Sequence, residues 1–283
     1  PVAAASIMRE NNIPFEVIGT KNIDTEDADV MILSHVAAIR DEEMDKIEAY
    51  VNRGGNLYIS GPVGHPRLQK MLGIEVTGRT EHQFTYMRPT EAGKDIFEGF
   101  GSLTPLTVPM AQMTARITDP EGVTVLATRV LPYTLTDTED FAAIHSNPPG
   151  IYTDEPCVIC KDTGKGKLLW SAAPIEMSRP YMSRQVFTRM LQSLIGEMVY
   201  TSNAPKFVEV IGWEKDGSDY FAVINEQEES PVVSMHDIYI DVKKPDKKAV
   251  LLPEETELQT EVLGDTLRIY LPKVEIFQMI RLV

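Results

Sequence analysis

The chain has 283 residues, enough for two domains of ordinary size, and 43% of them are apolar, so a sizeable core is expected and general disorder is not. The net charge is −15, from 42 acidic and 27 basic residues with no basic run, which argues against nucleic acid and anionic membrane as partners, since both need clustered Lys and Arg. No apolar run approaches the roughly 20 residues of a membrane-spanning helix.

Val2–Asn12 reads as a helix ended by Ile13-Pro14, and Phe15–Ile18 as a strand. A doubly wound sheet usually opens on a strand, and Pro1 lacks both Met and a signal-peptide pattern. The expectation is therefore that material is missing upstream, any targeting signal with it. Val30–Leu33 is an apolar run of strand length. Asp41 can cap a helix, and Glu42 and Glu43 fall in its first turn, where the helix dipole favours negative charge. Met44, Ile47 and Val51 recur at one-face helical spacing, Gly54-Gly55 ends the helix, and Asn56–Ser60 is the next strand. Strand, helix and strand at this length predict a βαβ unit and a parallel sheet.

His65–Leu72 reads as a short helix closed by Gly73. From Ile74 to about Tyr133, short apolar runs are punctuated by Pro89, Gly93, Pro105, Pro109, Pro120 and Gly122, which predicts a β-rich insertion. Cys157–Lys161 and Leu168–Ala172 read as a hairpin, and Met182–Tyr200 as a long amphipathic helix. Residues 201–205 form a linker. Beyond it, Phe207–Trp213, Tyr220–Asn225, Ile238–Val242, Ala249–Leu252, Leu267–Leu271 and Phe277–Leu282 are short strands, the pattern of an antiparallel β-sandwich.

Cys157 and Cys160 have the spacing of a redox pair or half a metal site. On a strand, however, residues three apart point to opposite faces, and no second such pair completes a zinc site, so both read as structural. No metal and no cofactor are expected. Gly164-Lys165-Gly166-Lys167 lacks the earlier Gly and the following Ser or Thr of a phosphate loop and reads as a hairpin turn. Gly61-Pro62-Val63-Gly64-His65 follows a strand and enters a helix, where a doubly wound fold binds ligands, but it carries no Ser or Cys nucleophile. Glu139, Asp140 and His145 share a loop with Asn147-Pro148-Pro149. The two acids are adjacent rather than opposed, so a solvated loop competes with acid–base chemistry on a sugar. Trp170, Trp213, Tyr220 and Tyr239 read as sheet residues before they read as a sugar platform.

Ala28–Gly61 resembles the non-catalytic domain, of flavodoxin-like or class I glutamine amidotransferase-like fold, that follows the barrel in many bacterial glycoside hydrolases, best known from β-galactosidases with a trimerisation domain. Ile144-His145-Ser146-Asn147-Pro148-Pro149 and the stretch Gly164–Glu176 resemble the end of that domain. Phe221–Asn225 and Ile276–Val283 resemble the β-sandwich that ends such enzymes. An active amidotransferase carries a Cys at the elbow and a late His. The elbow here is Ser60-Gly61-Pro62-Val63-Gly64 and the late motif is Ala172-Ala173-Pro174-Ile175-Glu176, so both groups are absent and glutamine hydrolysis lacks its nucleophile.

The resemblance implies an α/β fold, with a flavodoxin-like parallel sheet and a β-rich insertion over residues 1–200 and an antiparallel β-sandwich over 205–283. It implies an accessory portion of a glycoside hydrolase, without its own catalytic centre, that packs domains and forms a homo-oligomer beside a missing upstream catalytic barrel. An independent carbohydrate-binding or sensing module is the alternative, and a hydrolase using His145 with Glu176 or Asp140 a third reading. Candidate ligand contacts are His35, His65, His145 and Glu176, with carbohydrate as the candidate ligand. The compartment stays open between bacterial cytoplasm, periplasm and exterior.

Overall fold

A computed structural model gives the fold and describes residues 2–23, 28–135, 137–139, 141, 147–228 and 230–283. The chain divides into two compact units, one built on Val17–Gly196 and the other on Ala4–Glu16 with Glu197–Val283.

The first unit begins with β1 (Val30–Ser34), α2 (Asp41–Asn52; α1 is Val2–Glu10) and β2 (Asn56–Ser60). The Arg40 backbone N–H donates to Glu43 Oε2 at 3.0 Å and its guanidinium reaches Oε1 at 2.7 Å, closing the N-terminus of α2. Met44, Ile47, Tyr50 and Val51 form its buried stripe. At the other end only glycine fits position 55, because a Cβ there would lie 2.3 Å from the Tyr50 ring. β1 and β2 pair in parallel, Val30 with Asn56 through Ser34 with Ser60, as the βαβ pattern predicts.

Next come α3 (Pro66–Leu72), β3 (Ile74–Arg79), β4 (Thr85–Pro89), β5 (Leu106–Val108), β6 (Met113–Ile117), β7 (Val123–Pro132), β8 (Pro149–Asp162), β9 (Lys167–Ser171) and α4 (Tyr181–Gln192). One seven-stranded sheet runs β1-β2-β9-β8-β7-β4-β5, and β3 pairs only with β6. The expectation of a parallel sheet with a β-rich insertion is thus corrected to a mixed sheet. Only β1, β2 and β9 run parallel, and the β-rich stretch extends the same sheet through antiparallel ladders. The hairpin β8–β9 causes this: it reverses chain direction beside β9, and the 14-residue β8 offers β7 a long edge.

The second unit holds α1 and two antiparallel sheets. One is β10 (Tyr200–Ser202), β13 (Met235–Val242), β17 (Thr266–Val274) and β16 (Thr260–Leu263). The other is β11 (Val208–Lys215), β12 (Ser218–Asn225), β18 (Phe277–Leu282), β14 (Ala249–Leu252) and β15 (Thr256–Glu257). Alternate residues of both sheets, such as Val210, Phe221 and Val223 against Ile240 and Ile269, enclose one apolar core. Asn12 ties α1 to this unit by donating to the Ala204 carbonyl at 3.0 Å, and Arg9 pairs with Glu226.

Two elements differ from their sequence reading. The predicted helix Met182–Tyr200 ends at Gln192, because Tyr200 is drawn into the second unit: its hydroxyl donates to the Val210 carbonyl at 2.7 Å and its ring meets Phe221 edge-on at 5.4 Å. Phe15–Ile18 joins no ladder despite its strand composition, and Phe15 and Val17 stay exposed. Among the described residues, no helix is long and apolar enough to cross a membrane.

Candidate functional site

Three serines stand in register at the carboxyl ends of the three parallel strands: Ser34 opposite Ser60, and Ser60 opposite Ser171. In-register neighbours share a face, and Tyr58 lies on that face two residues before Ser60. Glu176, in the single turn Ile175–Met177 that follows β9, is folded over this row and only 2% exposed. Its Oε1 accepts from Ser34 Oγ at 2.6 Å and Ser60 Oγ at 2.5 Å, and its Oε2 from the Tyr58 hydroxyl at 3.0 Å. A buried carboxylate is tolerated when its lone pairs are filled, and here three hydroxyls from two strands fill them. Burial first, and then the charge of Glu176, push the Tyr58 hydroxyl well above its ordinary pKa, so Tyr58 stays a donor. The ring of Phe187 on α4 meets Tyr58 edge-on at 5.2 Å and closes the face.

His35 follows β1 with φ of +53°, an unusual conformation for a non-glycine residue. Its ring lies over Gly61, where an added Cβ would come 2.6 Å from Nδ1. Two backbone donors beside this elbow are used: His35 N–H donates to the Ser60 carbonyl at 3.2 Å, and Gly61 N–H to the Ser171 carbonyl at 2.8 Å. The Trp170 indole N–H donates to the Gly61 carbonyl at 3.0 Å. At 2% exposure, Glu176 has no open path to its carboxylate.

Of the predicted site residues, His35, His65 and Glu176 are described, each with its own surroundings. Glu176 is sealed beneath the elbow, and His35 is exposed above it. His65 caps α3 instead: Nδ1 accepts from the Arg67 backbone N–H at 3.1 Å, and Nε2 lies 3.0 Å from Asp41 Oδ1. Asp140 and His145 lie outside the described residues. Among the described residues, no group of three or more His, Cys, Asp or Glu is placed to hold a metal ion. Cys157 is fully buried and burial pushes its thiol up to about 12, while Cys160 is partly buried and shifted the same way. Gly164–Lys167 is a hairpin turn, with Asp162 Oδ1 accepting from Gly164 N–H at 2.7 Å. Trp170 is core, whereas Trp213 and Tyr220 stack at 5.7 Å on a half-exposed sheet face.

Sequence reasoning did not anticipate Ser34, Ser60 or Tyr58 as partners of Glu176, nor Ser171, whose hydroxyl donates to the Ala173 carbonyl. It also missed Arg129, a guanidinium only 1% exposed that donates to the Met113 carbonyl at 2.6 Å and pairs with Glu155, binding β6, β7 and β8. A cavity of about 640 Å³ opens at the opposite, amino ends of the parallel strands, lined by Arg53, Lys165, Lys167, Asp29 and Asp162 among others. Arg53 caps the C-terminus of α2, where the helix dipole favours a positive charge, while Lys165 and Lys167 come from the β8–β9 hairpin.

No protein-family model matches this sequence, and no curated protein matches it. Solved structures do match, over 99% of the chain. An α-L-fucosidase isoenzyme 2 from Paenibacillus thiaminolyticus is 18% identical with a TM-score of 0.76, and the match covers 44% of its own chain. A β-galactosidase from Bacillus circulans sp. alkalophilus is 14% identical (TM-score 0.65, 37% of its chain). A β-galactosidase from G. stearothermophilus, solved as a catalytic mutant, is 17% identical (TM-score 0.64, 35% of its chain). The chain thus shares its fold with a region of glycoside hydrolases and spans less than half the length of these structures.

Proposed function

We propose that this chain is an accessory, non-catalytic portion of a bacterial glycoside hydrolase, and that it packs domains and supports oligomerisation. The observation that supports this reading best is the whole-chain likeness to a region that makes up 44% or less of three solved glycoside hydrolases. The first unit is then a class I glutamine amidotransferase-like, flavodoxin-type frame in which a carboxylate and three hydroxyls fill the space where chemistry would need open groups. Hydrolysis would belong to a catalytic barrel elsewhere in the parent chain.

The association role has a direct test. Light scattering on a longer natural chain carrying this region, intact and with residues 1–200 removed, is expected to show loss of the oligomer on removal; an unchanged oligomer would contradict it. The interface must be drawn from exposed residues. Leu103, Met177 and Tyr181 qualify, whereas Met87 and Phe97 are fully buried.

The alternative reading, a carbohydrate-binding module, draws support from the Trp213–Tyr220 stack, with Trp213 37% exposed. Chemical-shift mapping with a sugar panel tests it: shifts confined to β11 and β12 would favour it, and none at saturating sugar would end it.

A further inference from the structure

The two ends of the parallel strands are built differently. At the carboxyl ends Glu176 and its three hydroxyl partners are sealed in. At the amino ends lies the cavity of about 640 Å³, inside the range of about 300–1,000 Å³ typical of small-molecule sites.

Contacts between segments distant in sequence hold its walls. Asn56, the first residue of β2, spans them: its side-chain N–H donates to the Leu194 carbonyl beyond α4 at 2.7 Å, and its side-chain oxygen accepts from the Lys167 backbone N–H at 2.7 Å. The Tyr50 hydroxyl donates to the Ala28 carbonyl at 2.8 Å. The β8–β9 turn is pressed against the stop of α2, since a Cβ at Gly166 would lie 2.4 Å from the Gly55 carbonyl oxygen. A frame held in this way loses little freedom when a ligand enters.

The charged groups on this frame are unspent. In the same unit Arg40, Arg67, Arg116 and Lys161 each hold a carboxylate. Among the described residues, the side chains of Arg53, Lys165 and Lys167 form no ion pair and no hydrogen bond, although Asp29 and Asp162 line the same cavity. Asp162 uses one oxygen, on the Gly164 N–H, and among the described residues the Asp29 carboxylate meets no donor. Lysine and arginine only donate hydrogen bonds, and an ionised carboxylate only accepts them. Three cations stand against two carboxylates and two helix C-termini of about half a negative charge each, so the cavity carries little net charge. An anion would meet the carboxylates and the helix ends, and a cation would meet the lysines and the arginine. Unpaired donors and unpaired acceptors are satisfied together by a neutral molecule whose polar groups each donate and accept, as hydroxyls do. A ring that fixes its hydroxyls loses less freedom on binding than an open-chain polyol.

We propose that this cavity binds a neutral saccharide of one or two units, whose hydroxyls accept from Arg53, Lys165 and Lys167 and donate to Asp29 and Asp162. Such a site adds a ligand to the accessory role and stands whether or not the chain is catalytic.

The test is amide chemical-shift mapping on the isotope-labelled 283-residue chain, titrated with D-galactose, L-fucose and lactose, and separately with sorbitol and inorganic phosphate. At least one sugar is expected to shift the amides of Gly54, Gly55, Gly164 and Gly166. Asp29→Asn and Lys167→Ala are each expected to weaken that sugar at least about tenfold, since each removes hydrogen bonds to a charged group. Both side chains are exposed, so both variants are expected to keep the fold, which the rest of the spectrum verifies. No shift at these glycines up to the solubility limit of the sugars, tighter binding of phosphate than of every sugar, equal binding of sorbitol, or an affinity untouched by both substitutions would overturn the proposal.

Discussion

Glu176 shows how a single buried group reports on function. Its oxygens are occupied by Ser34, Ser60 and Tyr58, partners 142, 116 and 118 residues away in the chain. Glu176→Ala would leave three buried hydroxyls without their acceptor, and urea unfolding is expected to show a loss of about 2–5 kcal/mol, against about 1 kcal/mol for Ser60→Ala. Equal effects from the two substitutions would contradict the account. Gly61→Ala is expected to destabilise by about 1–3 kcal/mol, because φ there is +71° and the new Cβ would strike the His35 ring. His35→Ala should relieve the clash but not the backbone strain, so the double variant should recover only part of the loss. The sequence singles out Glu176 and His35 because each lies next to a strand end. The serine row is invisible there, since placing Ser171 beside Ser60 depends on pairing β2 with the distant β9, and serine carries no periodic signal of its own.

Helix α2 was legible in its acidic first turn, its apolar stripe and its Gly-Gly stop, because periodicity is local, but its cap is Arg40 with Glu43 rather than the expected Asp41, which is the first helical residue. Its cap has a testable pH signature. The hydrogen bonds from the Arg40 guanidinium, and then from the Arg40 backbone, lower the Glu43 carboxyl from 4.5 to about 2. A carboxyl depressed in the folded state stabilises above its unfolded pKa, and that contribution is lost as pH falls through the folded value. The helix contribution of Glu43 should therefore be constant above about pH 5 and fade toward pH 2, and Glu43→Gln should remove that pH dependence. Stability curves of both proteins between those limits check it; parallel curves would show that the ion pair contributes nothing. Helix α4 was legible only as far as Gln192. Beyond it the apolar spacing continues to Tyr200, but Tyr200 belongs to a β-strand, and no local rule reveals which core claims a residue. The same ambiguity separates Val30–Leu33, which found β2, from Phe15–Ile18, which joined no ladder.

At the scale of the molecule, sequence patterns announced two kinds of architecture and the structure contains both, one unit with a mixed sheet and helices and one of two antiparallel sheets. What they did not announce is that the stretch from Ile74 to Tyr133 supplies β4, β5 and β7 to the main sheet, because short alternating runs name strands but not their neighbours. The likeness to three glycoside hydrolases extends over nearly the whole chain while sequence identity stays at 18% or less, so what is shared is the fold, and fold alone does not transmit activity. The central claim is that this chain carries no catalytic centre of its own. The most direct measurement is turnover of a panel of aryl glycosides, and of glutamine, by the purified 283-residue chain. The account predicts rates equal to buffer for every substrate; turnover that survives repurification and disappears in Glu176→Gln or His145→Ala would contradict it.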